Sequence, residues 1–196
     1  MFNRAVKLCI MASILFISQV WASPLNTLEG AANNVLSALK KNKANLKTKP
    51  SYVYRVVYRY IIPHVDVYGM SRPVLGRNQW RQANSGQRRA FTKHFTSLVV
   101  RTYSGALRDY SGEKVKFLPV RGGFQGKRFV KVKSYIMRPG GQNIPIAYSM
   151  VNSKGRWKVY DMSVEGVSLL QSFKSQFAQY LRSHNLSQLI TKLKKK

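Results

Sequence analysis

An α+β domain with an antiparallel sheet is the fold class that this sequence predicts. Apolar residues recur at helical spacing in the first half of the chain, alternate with polar residues from about residue 114 to 162, and return to helical spacing afterwards. Helices followed by strands and then by further helices are an order of elements typical of an α+β domain. Because the connections between strand segments are short, we expect a curved antiparallel sheet of about four or five strands packed against several helices.

Three helical segments are predicted before residue 84. Apolar residues spaced three or four apart predict an amphipathic helix over 25–39. A second helix is expected over 51–62, where Pro63 ends it. A short helical stretch over 65–75 follows, with Gly76 as its C-terminal residue.

A long helix and three strands are predicted next. Asn84 and Ser85 are good capping residues, and Gln87 is placed to complete a capping box for a helix that reaches Tyr110. The pattern then changes to alternation, which predicts strands. The alternating apolar residues are Val115, Phe117, Val130, Val132, Ile136, Ile144, Ile146, Tyr148 and Met150.

The C-terminal part predicts a fourth strand and two helices. The strand covers 157–162, after a turn, and Asp161 is expected to end it. Glu165 is expected to precede the N-terminus of a helix over 167–183, where negative charge is favourable. A last helix is expected over 186–193.

The first 22 residues are typical of a secretory signal peptide. Arg4 and Lys7 form a positive n-region, and the apolar stretch 8–20 is too short to span a bilayer comfortably. We expect cleavage after Ala22 or Ser23. The alternative is an uncleaved membrane anchor.

A single domain over residues 23–196 is expected after cleavage. Its length suffices to fold by burial of a core alone. Cys9 is the only cysteine, so no thiol is expected in the exported protein for catalysis, redox chemistry or metal binding.

The charge is strongly positive, with 34 Lys and Arg against 6 Asp and Glu. Without Arg4 and Lys7 the net charge is +26. Such a surface attracts polyanions, among them nucleic acid, anionic lipid headgroups and lipopolysaccharide phosphates. Export argues against nucleic acid. Ordinary solvation of lysine and arginine side chains is an equally good interpretation, so the charge alone decides nothing.

No catalytic pattern is present in the sequence. There is no G-x-S-x-G, no H-E-x-x-H and no glycine-rich phosphate loop. The three histidines, His64, His94 and His184, lie apart in the sequence with no carboxylate pattern around them. We therefore expect no enzyme, no metal and no cofactor.

Two segments of the sequence resemble the MlaC family, also described as toluene-tolerance proteins. The first, from Ile61 to Gly112, contains IIPHVDV, VLGRNQW and QRRAFTKHFTSLVVRTYSGALRDY. The second, from Trp157 to Leu181, is WKVYDMSVEGVSLLQSFKSQFAQYL. The resemblance is specific because the two segments occur in this order, after a signal peptide and with the strand region between them. The resemblance is weakest before Ser51 and between Glu113 and Asn152.

The resemblance implies a periplasmic carrier of phospholipid. Members of this family move phospholipid between an outer-membrane lipoprotein–porin complex and an inner-membrane ABC transporter complex, which maintains outer-membrane lipid asymmetry. It also implies that sheet and helices enclose an apolar pocket for the acyl chains, with the headgroup outside. A carrier of this kind is expected to work as a monomer, to come transiently close to membranes and to bind no nucleic acid.

Aromatic and aliphatic residues are the candidates for lining such a pocket, and ordinary core packing is the alternative for each. The candidates are Leu75, Trp80, Phe91, Phe95, Leu98, Ile136, Ile146, Tyr148, Trp157, Tyr160, Met162 and Val167. Arginines near the VLG segment are candidates for the lipid phosphate, with plain surface charge as their alternative. They are Arg72, Arg77, Arg81 and Arg101.

Two rival functions remain open. A basic exported module that binds lipopolysaccharide or another polyanion would show steeply salt-dependent affinity and would be indifferent to enlarging a pocket residue such as Ile146. An enzyme on the same α+β scaffold would require its carboxylates or histidines to converge in space, because a fold by itself implies no reaction.

Overall fold

The computed structural model of the protein describes residues 23–195; the predicted signal peptide lies outside them. The helices are α1 Pro24–Lys41, α2 Asn45–Thr48, α3 Pro50–Tyr60, a 3-10 turn Ile62–His64, α4 Val67–Leu75, α5 Arg77–Gln82, α6 Ser85–Arg108, α7 Leu169–Tyr180 and α8 Leu186–Lys195. The strands are β1 Lys114–Phe117, β2 Phe129–Met137, β3 Ile144–Ser153, β4 Arg156–Val164 and β5 Val167–Ser168. Over residues 23–195, no helix is long and apolar enough to cross a membrane.

The strands form one open sheet in the order β1-β2-β3-β4-β5. Every neighbouring pair is antiparallel, as short connections require. The predicted α+β class, with a sheet of about four or five antiparallel strands, is confirmed.

The longer helices begin where the sequence supplies caps. The Ser23 hydroxyl accepts hydrogen bonds from the N–H groups of Leu25 and Asn26 at the start of α1. At α6 the predicted capping box is present, because the Asn84 side chain accepts from the Gln87 N–H at 2.8 Å and the Gln87 side chain accepts from the Asn84 N–H at 3.0 Å.

Two short helices, α2 and α5, were not predicted. Gly76 was expected to end the local helical structure, but its positive φ of 89° instead divides α4 from α5. With four and six residues, these helices are too short to show a helical repeat.

The end of the sheet corrects the predicted strand-to-helix transition. Asp161 lies inside β4, which continues to Val164. Glu165 and Gly166 both have positive φ, at 51° and 85°, and form a two-residue hairpin turn to β5. Val167 therefore lies in a strand rather than in the first turn of a helix.

Asp161 holds the start of α7. Its carboxylate accepts a hydrogen bond from the Ser168 hydroxyl at 2.8 Å and one from the Leu170 N–H at 3.0 Å. The Ser168 hydroxyl in turn accepts from the Gln171 N–H at 3.0 Å. The predicted negative charge at this helix N-terminus thus comes from Asp161, not from Glu165.

Three apolar clusters form the core. The helical cluster joins α4 to α8 and contains Met70, Val74, Leu75, Trp80, Ala83, Phe91, Phe95, Phe173, Phe177, Leu186, Leu189 and Leu193. The sheet cluster contains Leu28, Val132, Met150, Trp157 and Val159. The N-terminal cluster contains Val35, Leu39, Leu46, Val53 and Val56.

Because of a β-bulge, side chains of β4 pack in two different apolar clusters, one on each side of the sheet. Opposite Ser149 and Met150 the register shifts, so that these residues pair with Asp161 and Val159 and leave Tyr160 as the extra residue. Val159 packs in the sheet cluster, whereas Tyr160 packs against the helical cluster.

Replacing Asp161 tests the junction between sheet and α7. Asp161→Ala removes two hydrogen bonds to a carboxylate, and we expect the free energy of unfolding to fall by about 2 kcal/mol. Urea denaturation measures this change in the free energy of unfolding. The control is Glu165→Asn in the exposed turn, where asparagine tolerates the positive φ and a change of no more than about 0.5 kcal/mol is expected. Equal losses in both variants would contradict this role of Asp161.

Candidate functional site

The candidate site is the face of the sheet that α1 covers, here called the inner face. Side chains that pair in register share a face, and those two residues apart along a strand do so too. Two rows of partners follow from the register. One is Phe117, Ser134, Ile146, Val164 and Val167. The next is Val132, Tyr148 and Met162.

One half of the inner face is tightly packed. Val132 and Met150 have no exposed surface there. Leu28 of α1 belongs to the same sheet cluster, and the ring of Phe124 meets that of Trp157 edge to face with centroids 6.4 Å apart. This half is ordinary hydrophobic core.

The other half of the inner face is apolar but belongs to none of the three clusters, and we call it the open half. Its members lie on four adjacent strands. They are Val115, Ile136, Ile144, Ile146, Met162 and Val164. All except Ile146 keep part of their surface accessible. A contiguous apolar surface that stays outside the core clusters and is only partly buried is a candidate ligand-binding face.

A polar pair lies between the two halves. The hydroxyl groups of Ser134 and Tyr148 are 3.2 Å apart and hydrogen-bonded. Burial raises the pKa of Tyr148, and the hydrogen bond from Ser134 opposes that rise. The phenol is therefore neutral at physiological pH and can donate to or accept from a polar group of a ligand. The sequence pattern showed both residues but not their contact.

Six of the twelve predicted pocket residues lie on this face. Ile136, Ile146 and Met162 belong to the open half, and Tyr148 borders it. Trp157 lies in the packed half. Val167 ends its row at the sheet edge, where it is 60% exposed.

The other six predicted pocket residues lie in or against the helical cluster. Leu75, Trp80, Phe91, Phe95, Leu98 and Tyr160 pack there, and the Phe91 and Phe95 rings stack with centroids 5.8 Å apart. The structure therefore distributes the predicted set over two packing regions separated by β4. Their role in ligand binding stays a prediction.

The four predicted headgroup arginines do not converge on the inner face. Arg72, Arg77 and Arg81 are exposed on α4 and α5. Arg101 is half-buried and donates a hydrogen bond to the Leu193 carbonyl at 3.1 Å, which secures the C-terminal turn of α8. Their assignment to a headgroup site stays a prediction.

Arg88 is a residue that sequence analysis did not single out. Its guanidinium lies 5.7 Å from the centre of the Trp80 ring and donates to the carbonyls of Trp80 and Arg81. It fixes α5 against α6. Nothing in the sequence distinguishes it from the other arginines, because the missed helix α5 supplies its acceptors.

A small cleft of about 220 Å³ lies between the N-terminal ends of α6 and α8. Its lining is mainly polar and consists of Gln79, Gln82, Ala83, Gln87, Asn185, Leu186 and Ser187. A volume below the roughly 300–1,000 Å³ of small-molecule pockets and a polar lining exclude it as a site for long apolar chains.

The titratable residues form no metal-binding group in the described part of the chain. Over residues 23–195, no three His, Cys, Asp or Glu side chains come close enough to hold a metal ion. The pKa of His94 is lowered by burial and by the positive charges of Lys93, Lys194 and Arg101. The surrounding cations and burial therefore favour the neutral form of this imidazole.

The fold and this site define a class: an α+β domain with an open antiparallel sheet, one half of whose inner face packs in the core while the other half is apolar and only partly buried. The family model described as MlaC protein matches residues 29–195. The chain belongs to the MlaC family, which confirms the resemblance of its sequence motifs.

Curated relatives and a solved structure are similar over most of the chain. The toluene tolerance protein ttg2D of Pseudomonas putida is 26% identical over 179 residues, covering 91% of this chain and 82% of its own. The intermembrane phospholipid transport system binding protein MlaC of Haemophilus influenzae is 28% identical over 174 residues, covering 87% of this chain and 80% of its own. A phospholipid-binding protein from Ralstonia solanacearum, solved in complex with a phospholipid, superposes with a TM-score of 0.81 at 27% identity, covering 89% of this chain and 96% of that one.

Proposed function

We propose that this protein binds a phospholipid with its acyl chains against the open half of the inner face and carries it through the periplasm. The observation that carries the proposal is the set of six apolar residues left outside the core clusters, in a chain similar to a protein solved with a phospholipid. Transport between the outer and inner membranes, in support of outer-membrane lipid asymmetry, is the function that this binding serves.

The energetics of transfer suit a carrier without an energy source of its own. At about 0.8 kcal/mol per buried methylene, two acyl chains of about 15 carbons gain on the order of 20–25 kcal/mol relative to water. A bilayer offers nearly the same gain. Because protein and bilayer are close competitors, small differences at each docking partner can direct the lipid.

The open half supplies the contacts for the acyl chains in this proposal. Ile136, Ile146 and Met162 present branched and flexible apolar side chains across β2, β3 and β4. The Ser134–Tyr148 pair can hydrogen-bond to the polar end of a buried chain. Val167 at the sheet edge would lie at the mouth, since its apolar side chain is exposed.

The partners of such a carrier are the complexes at the two membranes. We propose that it docks as a monomer on an inner-membrane ABC transporter complex and on an outer-membrane lipoprotein–porin complex. The carrier performs no reaction, and the transporter supplies any energy that net movement needs.

Export from the cytoplasm follows from residues 1–22 acting as a cleaved signal peptide. The structure supports cleavage after Ala22 rather than after Ser23, because the Ser23 hydroxyl caps α1. Losing an N-cap costs a helix about 1 kcal/mol.

A second candidate function is binding of lipopolysaccharide or another polyanion at the surface. The net charge of +26 on residues 23–196 favours it. It would give affinity that falls steeply with salt, whereas acyl-chain binding responds weakly to salt.

Native mass spectrometry of protein from a periplasmic extract tests the carrier function. We expect a population heavier than the polypeptide by the mass of one phospholipid, since acyl chains are removed from water in the complex. Ligand-free protein after gentle handling, at physiological salt, would contradict it.

Enlarging a side chain of the open half tests where the lipid lies. Ile146→Trp should fill the space of the acyl chains and reduce the bound phospholipid per protein by roughly tenfold or more, while overpacking costs about 1–3 kcal/mol of stability. Lipid extraction and phosphorus analysis measure the occupancy. The matched control is Leu98→Trp on α6 in the helical cluster, which should retain its lipid. Loss of lipid in Leu98→Trp alone would move the pocket to the helical cluster.

Intact mass determination of the exported protein tests the cleavage site. We expect the polypeptide to begin at Ser23, because that N-terminus keeps the cap of α1. A mass that corresponds to Pro24 as the first residue would refute the assignment, and a mass that includes residues 1–22 would show an uncleaved anchor.

A further inference from the structure

The opposite, outer face of β1 and β2 is apolar and cationic, and all of its side chains are exposed. Residues that alternate with the inner-face residues point to this side. They are Lys114 and Lys116 on β1, and Phe129, Lys131, Lys133, Tyr135 and Met137 on β2. The exposed fractions of the three apolar residues, Phe129, Tyr135 and Met137, are 54%, 39% and 40%. We call these seven side chains the outer patch.

The patch is one continuous surface in the register of the sheet. Lys116 pairs with Tyr135, and Lys114 pairs with Met137. Lys131 and Lys133 pair with Ser149 and Ala147 of β3, which are small and neutral. Lysines and exposed apolar side chains are therefore neighbours on a regular pleated surface rather than at scattered loop positions.

Neither the carboxylate on β4 nor the one before β1 compensates the charge of the patch. Asp161, on the outer side of β4, accepts its hydrogen bonds from Ser168 and Leu170. Glu113, the residue before β1, is turned to the Ser111 N–H and hydroxyl at 2.9 and 2.8 Å. The outward side chains of β1, β2 and β3 include no acid.

We propose that the outer patch docks the protein on the surface of an anionic phospholipid bilayer. Lysines attract the anionic headgroups, and each adds about fivefold to the partition coefficient when it lies near the surface. Tyrosine, phenylalanine and methionine at the same level can enter the interfacial region, where amphipathic aromatic side chains are favourable. The match of both chemistries on one face favours a bilayer over an acidic protein, which would complement the charges but leave the exposed Tyr135 and Met137 without an apolar partner. Phe129 also meets the Tyr160 ring edge to face, with centroids 5.8 Å apart.

The outer patch and the open half lie on opposite faces of the sheet, but they share one of its ends. Tyr135 and Met137 lie at the end of β2 that also carries Ile136, and Ile136 pairs with Ile144 in the open half. Acyl chains that pass between protein and bilayer would therefore have to go around this end of the sheet. This step rests on the proposed carrier function, whereas binding of the patch to a bilayer can be measured without it.

Vesicle cosedimentation with paired charge variants tests the patch. The protein purified from a periplasmic extract is mixed, at about 0.1 M salt, with vesicles of pure phosphatidylcholine or with 30% phosphatidylglycerol added. We expect binding to the anionic vesicles alone, and a loss of about 30-fold in the partition coefficient for Lys131→Gln with Lys133→Gln. The control removes the same charge from the exposed Lys43 and Lys47 around α2, for which a loss of less than about threefold is expected. Equal losses in the two pairs would overturn the proposal, because they would show attraction by net charge alone.

A tryptophan reporter tests the orientation of the bound protein. Trp80 and Trp157 are buried, with 6% and 3% of their surface exposed, so a surface tryptophan dominates the response to the membrane. Tyr135→Trp in the patch should shift its emission to the blue and be quenched by brominated lipid in anionic vesicles. Tyr58→Trp on α3, where the native tyrosine is 45% exposed, is the matched control and should stay unquenched. Quenching of Tyr58→Trp but not of Tyr135→Trp would overturn the proposal.

The outcomes separate this proposal from the carrier function. Absence of vesicle binding in a protein that still carries phospholipid would overturn the docking surface, assign the patch to an acidic protein partner and leave the carrier function intact. Orientation-specific vesicle binding by a protein that never holds phospholipid would support the patch and contradict the carrier function.

Discussion

The structure depends on β4, because this strand is buried from both sides by different layers. On the inner side Trp157 and Val159 pack beneath α1, and on the outer side Tyr160 packs against the helical cluster. The β-bulge opposite Ser149 and Met150 makes this possible by adding one residue to the strand. Asp161 then faces α7 and binds its first turn, so the strand that completes the sheet core also fixes the C-terminal helices.

In the proposed function, the same inner face serves both folding and ligand binding. Its packed half removes Val132 and Met150 entirely from water and supplies stability. Its open half leaves apolar surface partly exposed, and an apolar ligand that binds there would stabilise the folded protein. A carrier needs this division, since a face closed completely by its own helices would have no room for cargo and a face left completely open would not hold the sheet to α1.

The positions of the carboxylates explain why the net positive charge lies at the surface of the protein. Asp66, Glu113 and Asp161 accept hydrogen bonds from backbone N–H groups and serve local structure. The excess of lysine and arginine is thus left to the surface, where it favours encounter with anionic partners and opposes compaction through self-repulsion. At 26–28% identity the curated relatives match over most of this chain.

The sequence by itself determined the fold class and the long elements, because helical spacing and alternation are local patterns that burial on one side imposes. It also determined the capping box of α6 and, through its motifs, the family. Tertiary structure alone decided which predicted pocket residues share a site. Simple alternation along β4 groups Tyr160 with Met162, but the bulge returns Met162 to the inner face and leaves Tyr160 with the helices. Which layer covers a strand, and where a register shifts, depend on contacts between residues distant in sequence, and no local pattern encodes them.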